Sequence, residues 1–455
     1  MGNIKYIGFD LSTTGLAAGG LTEDGQEVFN SIPMKGDTTW HDEPAFDLTF
    51  LPSLFIKALD SLKKQGFKFA QEGGLSLSVR QHDMVLLDSD GKLLIPALSW
   101  QCNASVNEVK ELQNMGAEKV VGRIEPRLIL PKLMWALKQE SDLKNKVSSV
   151  MTTGDYIAWC LTGGEPRLST SDALSNGLLE QNTKKLAKET INSAGLNSSW
   201  FPEVIQSGTV VETVKAGAND KWKDSAGILD SWKVVSGLGD NHAGAVGCGL
   251  SDLKTIVVSA GSSGTINRMI HPSAELVGEA LCFEYYQHRL LLLMLADCAT
   301  RYSRFVKEFG EDTTLDKLNE LAQQAKPGKL LYVSDSYPNV WEKLTLGEKT
   351  ASVQSSIAAD LASLVQMMLA EVKGEQTPIE RLVLTGGLSQ SEHFRNSFRK
   401  SVSQKRDFKI YMIDRQGPMA YQAAALGATI NAMVGVGIYT DLKDAARELC
   451  PLKSI

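Results

Sequence analysis

The chain has no CxxC pair, no HExxH motif and no excess of basic residues, and each absence closes off a class of function. Its six cysteines, at 102, 160, 248, 282, 298 and 450, are scattered without metal-ligand spacing. That is the pattern of reduced core thiols rather than of a disulfide framework or a zinc site. The six histidines, at 41, 82, 242, 271, 288 and 393, are equally dispersed, so no dedicated histidine metal centre is expected. A net charge of −6 leaves no footprint for nucleic acid or an anionic membrane. The segment MGNIKYIGFD has neither the basic nor the apolar region of a signal peptide, and the greasiest run, HRLLLLMLA, is far short of a membrane span. A cytoplasmic protein with no nucleic-acid or membrane partner is the expectation.

What is present begins with two segments that share one grammar. KYIGFDLSTTGLAAGGLTEDG (5–25) reads as an apolar strand, a turn of small hydroxyl residues, a second apolar strand and an Asp-Gly turn. KTIVVSAGSSGTINRMI (254–270) repeats it. A chain of 455 residues is too long for one ordinary core. Two such hairpins, each opening a half of the chain, predict a duplicated α/β domain with a boundary near 236 and a shared cleft.

Each hairpin tip carries chemistry. Backbone N–H groups and hydroxyls in such a turn suit phosphate oxygens. Asp10, just before the first turn, would repel phosphate unless a divalent cation stood between them, and Mg²⁺ held by one or two carboxylates answers that need. The plainer alternative is an Asp that caps its own turn. A third loop follows the apolar strand 381–385: a Gly386-Gly387 turn, then an amphipathic helix that Ser389 or Ser391 caps, a standard place for a phosphate or a nucleotide ribose. Beyond it AYQAAALGATINAMVGVG (420–437) reads as a small-residue helix suited to a hinge or to the wall of an adenine site. In GLGDNHAGAVGCG (237–249), Asp240 stands among glycines and alanines, either as a carboxylate open to a ligand or as a turn and helix cap.

In this order the motifs resemble those of the FGGY carbohydrate kinases, members of the actin, Hsp70 and sugar kinase superfamily. YIGFDLSTTG is similar to that family's first phosphate loop, GLGDNHAGAVG to its catalytic segment, VVSAGSSG to its second phosphate loop and LTGGLSQS to its adenosine loop. LPKLMWALK, TTGDYIAWCLTG, STSDALSNGLL and AAALGATINAM fall between and after them in family order. The resemblance implies an α/β fold of two duplicated ribonuclease H-like, actin-like ATPase domains with an interdomain cleft. It assigns 1–236 to an N-terminal, sugar-binding domain with the first phosphate loop. It assigns 237–455 to a C-terminal domain with the catalytic base, the second phosphate loop and the adenosine side.

On the matching positions the resemblance implies Asp240 as catalytic base and Asp10 as the Mg²⁺-associated acid, with both carboxylates available to the metal. It implies Thr13, Thr14, Gly261, Ser262, Ser263, Gly386, Gly387 and Ser391 as ATP contacts. Gln81, His82, Trp100, Asn103, Asp240 and Asn241 become sugar contacts. Several residues depart from the family pattern. Val79, Arg80 and Asp83 stand where it has Gly, Gln and Gly, and Arg80 is read as reaching substrate or being solvated. Cys102 takes the place of an acid that binds sugar hydroxyls, so that either Asn103 substitutes for it or the substrate lacks that hydroxyl. Ala17 replaces a basic residue, His242 replaces Gln, and a GERxP segment is missing near YVSDSYPNVWEKLTLG.

The implied activity is ATP-dependent phosphorylation of a terminal hydroxyl on a ketose, such as the xylulose or ribulose used by xylulokinase-like members, or on a related polyol. The other readings are a pseudokinase that binds sugar and nucleotide as a sensor, and a phosphohydrolase of the same superfamily. Sugar and ATP are the expected partners, and the oligomeric state is open, a homodimer included.

Overall fold

The computed structural model describes residues 2–261, 263–278, 280–309, 312–325, 341–374, 377–404, 406–420 and 422–455. Contacts divide them into two compact units. The first comprises Met1–Gly247, Phe283–Gln287 and Gln416–Leu449; the second comprises Cys248–Cys282, His288–Arg415 and Cys450–Ile455.

In the first unit the sheet strands are β1 (Asn3–Leu11), β2 (Gly15–Thr22), β3 (Glu27–Pro33), β4 (Lys68–Val79), β5 (Val210–Thr213) and β6 (Lys233–Gly239), in the spatial order β3-β2-β1-β4-β6-β5. In the second unit β7 (Thr255–Ala260), β8 (Gly264–Ile270), β9 (His288–Leu295), β10 (Arg381–Thr385), β11 (Lys409–Ile413) and β12 (Leu452–Ser454) run in the order β9-β8-β7-β10-β11-β12. Across the first series the neighbours pair antiparallel, antiparallel, parallel, parallel, antiparallel. Across the second the series is the same. The duplication read from two hairpins therefore extends over six strands of each sheet.

Burial explains the strand sequences. β1 and β4 are flanked on both sides, and their central stretches, Tyr6–Phe9 and Gly74–Val79, are buried at every residue, as in strands covered on both faces. Beneath the first sheet, Phe9, Leu11, Phe55, Leu59, Trp222 and Trp232 form one core. Residues 84–201 build a second core in the same unit, around Leu86, Leu98, Leu133 and Trp135. The second unit packs Ile256, Ile357, Leu361 and Phe398 under its own sheet. One helix, Leu346–Ala370, is long and apolar enough to cross a membrane by length and composition; it supplies Ile357, Leu361 and Val365 to that core. The run HRLLLLMLA begins as strand β9.

The contact boundary falls after Gly247 rather than near 236, because helix Asp240–Gly247 is locked to helix Ala423–Gly435 of the same unit. A Cβ at Gly247 would lie 1.8 Å from the carbonyl oxygen of Ala423, and one at Gly427 would lie 1.8 Å from that of Ala243. Helix Ala423–Gly435 also lies on β1, where a Cβ at Gly8 would meet Thr429 N at 2.3 Å. The small residues of helix Ala423–Gly435 thus serve helix–helix and helix–sheet packing within the first unit.

Gly247→Ala is expected to destabilise by about 3 kcal/mol or more, at or beyond the upper end of usual overpacking costs. Gly244→Ala in the same helix, where the added methyl meets nothing within 4 Å, should leave stability unchanged or raise it. Urea unfolding followed by tryptophan fluorescence compares the two, and equal midpoints would contradict the glycine contact.

Candidate active site

The sequence-predicted residues divide between the units. Asp10, Thr13, Thr14, Gln81, His82, Trp100, Asn103, Asp240 and Asn241 lie in the first. Gly261, Ser263, Gly386, Gly387 and Ser391 lie in the second, and Ser262 is outside the described residues, as is most of YVSDSYPNVWEKLTLG.

At the end of β1, Asp10 accepts a hydrogen bond from Ser78 Oγ at 2.6 Å, on the parallel neighbour β4. The turn after it is capped by Ser12, whose Oγ accepts from the N–H groups of Thr14 and Gly15 at 3.3 and 3.2 Å. Asp10 is therefore not needed by its own turn. Burial raises its carboxyl above the usual range, opposed by the Ser78 hydroxyl. Thr13 is half-buried and Thr14 exposed at the tip.

β6 delivers Asp240 as the first residue of helix Asp240–Gly247. Its Oδ1 accepts from Asn241 N at 2.7 Å and from Asn241 Nδ2 at 3.2 Å, and the positive end of the helix favours a carboxylate there. Burial pushes this carboxyl up to about 7; the charges of Asp10 and Asp83 add to that, while the Asn241 N–H and Arg80 oppose it.

Four residues after β4 supply the remainder. Gln81 is buried against Gly239, where a Cβ would lie 2.4 Å from its amide nitrogen. Its Oε1 accepts from Asn241 Nδ2 at 3.4 Å and its Nε2 lies 3.4 Å from His242 Nδ1. His82 holds a left-handed backbone, φ 72°, which costs a non-glycine residue energy and needs anchoring. The anchor is Lys132, fully buried in helix Ile129–Gln139: its Nζ donates to the carbonyls of His82, Leu98 and Ser99. Burial draws Lys132 down to about 8, with Asp83 resisting. His82 is drawn down to about 3 by burial and then by Arg127 and Lys132, so the ring is neutral near pH 7. Its Nδ1 lies 3.2 Å from Asn176 Oδ1, an oxygen that also accepts from Ile129 N. His82 therefore donates at Nδ1 and keeps Nε2 as an acceptor.

Arg80 neither reaches out to solvent nor is left without a partner. It is 5% exposed and paired with the fully buried Asp83: Nε donates to Oδ2 at 3.0 Å and Nη2 lies 2.7 Å from the same oxygen. Asp83 Oδ1 accepts from Trp100 N at 3.0 Å, and the Arg80 guanidinium stacks 3.7 Å above the Phe46 ring. Two of the family departures are thus one buried ion pair. Cys102 is fully buried in the core of residues 84–201, where burial pushes its thiol up to about 11. Its side chain is closed off within that core, and the nearby Glu43 carboxylate accepts from Asn103 N at 3.0 Å. Asn103 itself is exposed and donates to Gln101 O, while Trp100 is 38% exposed.

In the second unit the β7–β8 hairpin leaves Ser263 exposed, and Gly261 O accepts from Ala299 N at 2.9 Å. Gly386, φ 91°, lies against Ala260, where a Cβ would be 2.5 Å from the backbone, whereas Gly387 faces open space. Ser391, not Ser389, caps helix Glu392–Val402, accepting from Phe394 N and donating to Gln354 Oε1 at 2.7 Å. Its hydroxyl is engaged on both sides within the second unit.

Reading the sequence for site residues missed Lys132, Ser171, Asp172, Asn176 and Glu284. Asp172 is 2% exposed, its Oδ1 has no hydrogen-bond partner among the described residues, and burial followed by Asp155, Asp240 and Asp83 raises it well above the usual range. Burial raises Glu284 to about 7; it accepts from Thr170 Oγ1. LPKLMWALK and STSDALSNGLL, the motifs that hold four of these five, were read as family segments without a site role.

Residues 5–247 match the sequence model of the FGGY family of carbohydrate kinases, N-terminal domain. A xylulose kinase of Lactococcus lactis is 26% identical over 84% of this chain and 74% of its own length. The chain spans 53% of the xylulose kinase of Klebsiella pneumoniae, also at 26% identity over 57% of this chain. Among solved structures, a gluconate kinase from Lactobacillus acidophilus superposes with a TM-score of 0.80 at 19% identity, covering 100% of this chain and 93% of that one. A Plasmodium falciparum glycerol kinase with ADP gives 0.81 at 15%, covering 99% and 93%. These likenesses show the fold, the two-domain actin-like ATPase fold of sugar kinases.

Removing one charge of the Arg80–Asp83 pair strands the other in the interior. Arg80→Gln or Asp83→Asn alone is expected to cost about 3–5 kcal/mol. The double variant should cost well below the sum. Denaturant unfolding of all three tests this, and additive losses would show that the two residues do not act as a pair.

Proposed function

The chain belongs to the FGGY family of carbohydrate kinases, sugar phosphotransferases that use ATP, and from that premise we propose that it phosphorylates a terminal hydroxyl of a ketose, a ketopentose first of all. The observation that carries the reading is Asp240. It is a carboxylate at a helix N-terminus, held on one oxygen by Asn241, in surroundings that raise its proton affinity into the working range of a general base. Asp240 takes the proton of the sugar hydroxyl as that oxygen forms its bond to the γ-phosphorus and the bond from phosphorus to the β-bridging oxygen breaks, leaving ADP and the sugar phosphate. Gln81, Asn241 and the acceptor Nε2 of His82 orient sugar hydroxyls, and Trp100 offers a partly exposed ring for an apolar sugar face.

Thr13, Thr14 and the Asp10 end of β1 are assigned to the phosphates, and in the second unit Gly261, Ser262, Ser263 and Gly387 to the nucleotide. The donor set suits Mg²⁺: Asp10 is spared by its own turn and destabilised by burial, a condition that a cation relieves, and Asp240 lies near enough for each charge to act on the other. When bound, the ion neutralises phosphate charge. The ketose preference rests on the xylulose kinases among the relatives.

Asp240→Asn is expected to keep ATP binding while turnover falls about 10²–10⁴-fold, the usual worth of a positioned base. ATP consumption over a panel of ketoses, alditols and aldonates, run with wild type and this variant, tests both base and substrate. Full turnover by the variant rejects the base; sugar-independent hydrolysis by wild type favours a phosphohydrolase. Because the ionised form is the active one, kcat/KM should rise with pH through about 7 and level off above it. A flat profile across that range contradicts Asp240 as the titrating base.

A further inference from the structure

We propose that His242 is a positioning residue for Asp240, acting through Gln81 and Asn241. The inference rests on the reading of Asp240 as the base and adds a residue to it.

His242 lies two residues beyond Asp240 in the same helix and is fully buried. Its Nδ1 is 2.8 Å from Ser171 Oγ and 3.4 Å from Gln81 Nε2. At the other end of the Gln81 amide, Oε1 accepts from Asn241 Nδ2, and that same Nδ2 donates to Asp240 Oδ1. The chain of bonds has a direction. Asn241 must give its N–H to the carboxylate, so Gln81 turns its oxygen to Asn241 and its NH₂ to His242. His242 then accepts at Nδ1 and carries its proton on Nε2. Nε2 has no hydrogen-bond partner among the described residues, and the ring packs edge to face on Phe283 with centroids 5.2 Å apart. Burying an unpaired ring N–H is unfavourable. The compensating contact is the acceptor it presents to Gln81 and Ser171.

Sterics make that acceptor consequential. Gln81 lies flat on the backbone of Gly239, immediately before Asp240, and Gly239 N lies 3.5 Å from Ser171 Oγ. Gln81 is thus fixed by backbone on one face, by Asn241 and His242 at its two ends and by a further hydrogen bond to the Asp172 carboxyl. Without the His242 acceptor the Gln81 NH₂ keeps the Asp172 carboxyl alone, so that the amide flips more readily, and a flipped amide sets NH₂ against the NH₂ of Asn241. Asn241 then loses its hold on Asp240 Oδ1, and the carboxylate loses its aim at the sugar hydroxyl. Filling space alone, the ring would be replaceable by leucine; as an acceptor it is replaceable by glutamine.

The test uses the full chain, ATP, and whichever of D-xylulose, D-ribulose, glycerol and D-gluconate wild type phosphorylates fastest. His242→Leu is expected to lower kcat about tenfold or more, in keeping with the cost of a misaimed catalytic group, with KM for ATP unchanged. His242→Gln should restore most of the loss, and His242→Leu/Gln81→Leu should be no slower than the slower single variant, because both act on one chain of bonds. Wild-type kcat in His242→Leu, or losses that multiply in the double variant, overturn the proposal. If His242→Leu does not fold, Gln81→Leu decides, and unchanged kcat there overturns it equally. Asp240→Asn runs alongside. Full turnover in that variant, or no turnover of any sugar by wild type, overturns the proposed function and this inference with it. Loss in Asp240→Asn with none in His242→Leu overturns the inference alone.

Discussion

The first unit depends on a backbone-to-backbone contact that no side chain larger than hydrogen permits. Helix Ala423–Gly435 meets β1 at Gly8 and helix Asp240–Gly247 at Gly247 and Gly427, with room for no Cβ at any of the three. β1 ends at Asp10 and helix Asp240–Gly247 begins with Asp240, so one packed helix sets the position of both carboxylates. Interiors this dense transmit displacement rather than absorb it. The bare surroundings of Asp240 in the sequence are explained first by this packing: Gly239 makes way for Gln81, and Gly247 for a helix contributed from near the C-terminus.

Electrostatics is the second constraint. Asp10, Asp155, Asp172, Asp240 and Glu284 all have carboxyls raised by burial, in a unit whose buried cations include Arg80 and Lys132. A carboxyl whose folded pKa lies above its unfolded value binds its proton more tightly in the folded state. For Asp155 and Asp240 that contribution to stability is complete below the ordinary aspartate value of 3.8 and is lost as the pH rises through about 7. The site at neutral pH is therefore short of positive charge, a deficit that a phosphate-bound cation offsets. Lys132 is spent on three carbonyls and Arg80 on Asp83, so neither is free to do so.

Local order was legible from sequence. The two hairpins, strand 381–385 and the loops after them were read from apolar runs and turn residues, whose spacing is set within a few positions. What could not be read was set by residues far apart in the chain. That the small-residue helix belongs with β1 depends on a glycine more than four hundred residues away. Ser391 and Cys102 sit in matching motifs, but their side chains turn inward, which motif order does not record. Arg80 and Asp83 are three apart and of opposite charge, a pairing that a strand-end loop conceals because helical spacing rules do not apply there.

The departures at 80, 83 and 242 are thereby related. Arg80 and Asp83 introduce charges of opposite sign that cancel within 3 Å, so the net charge around Asp240 is conserved even though two neutral positions of the resembling family have become ionic. His242 is neutral, drawn down to about 3 by burial, and keeps hydrogen-bond capacity where an amide is usual. Each change has a partner inside the first unit, and Arg80 and Asp83 act on Asp240 in opposite directions. The three positions are thus accommodated within the first unit, as a buried ion pair and a buried neutral ring.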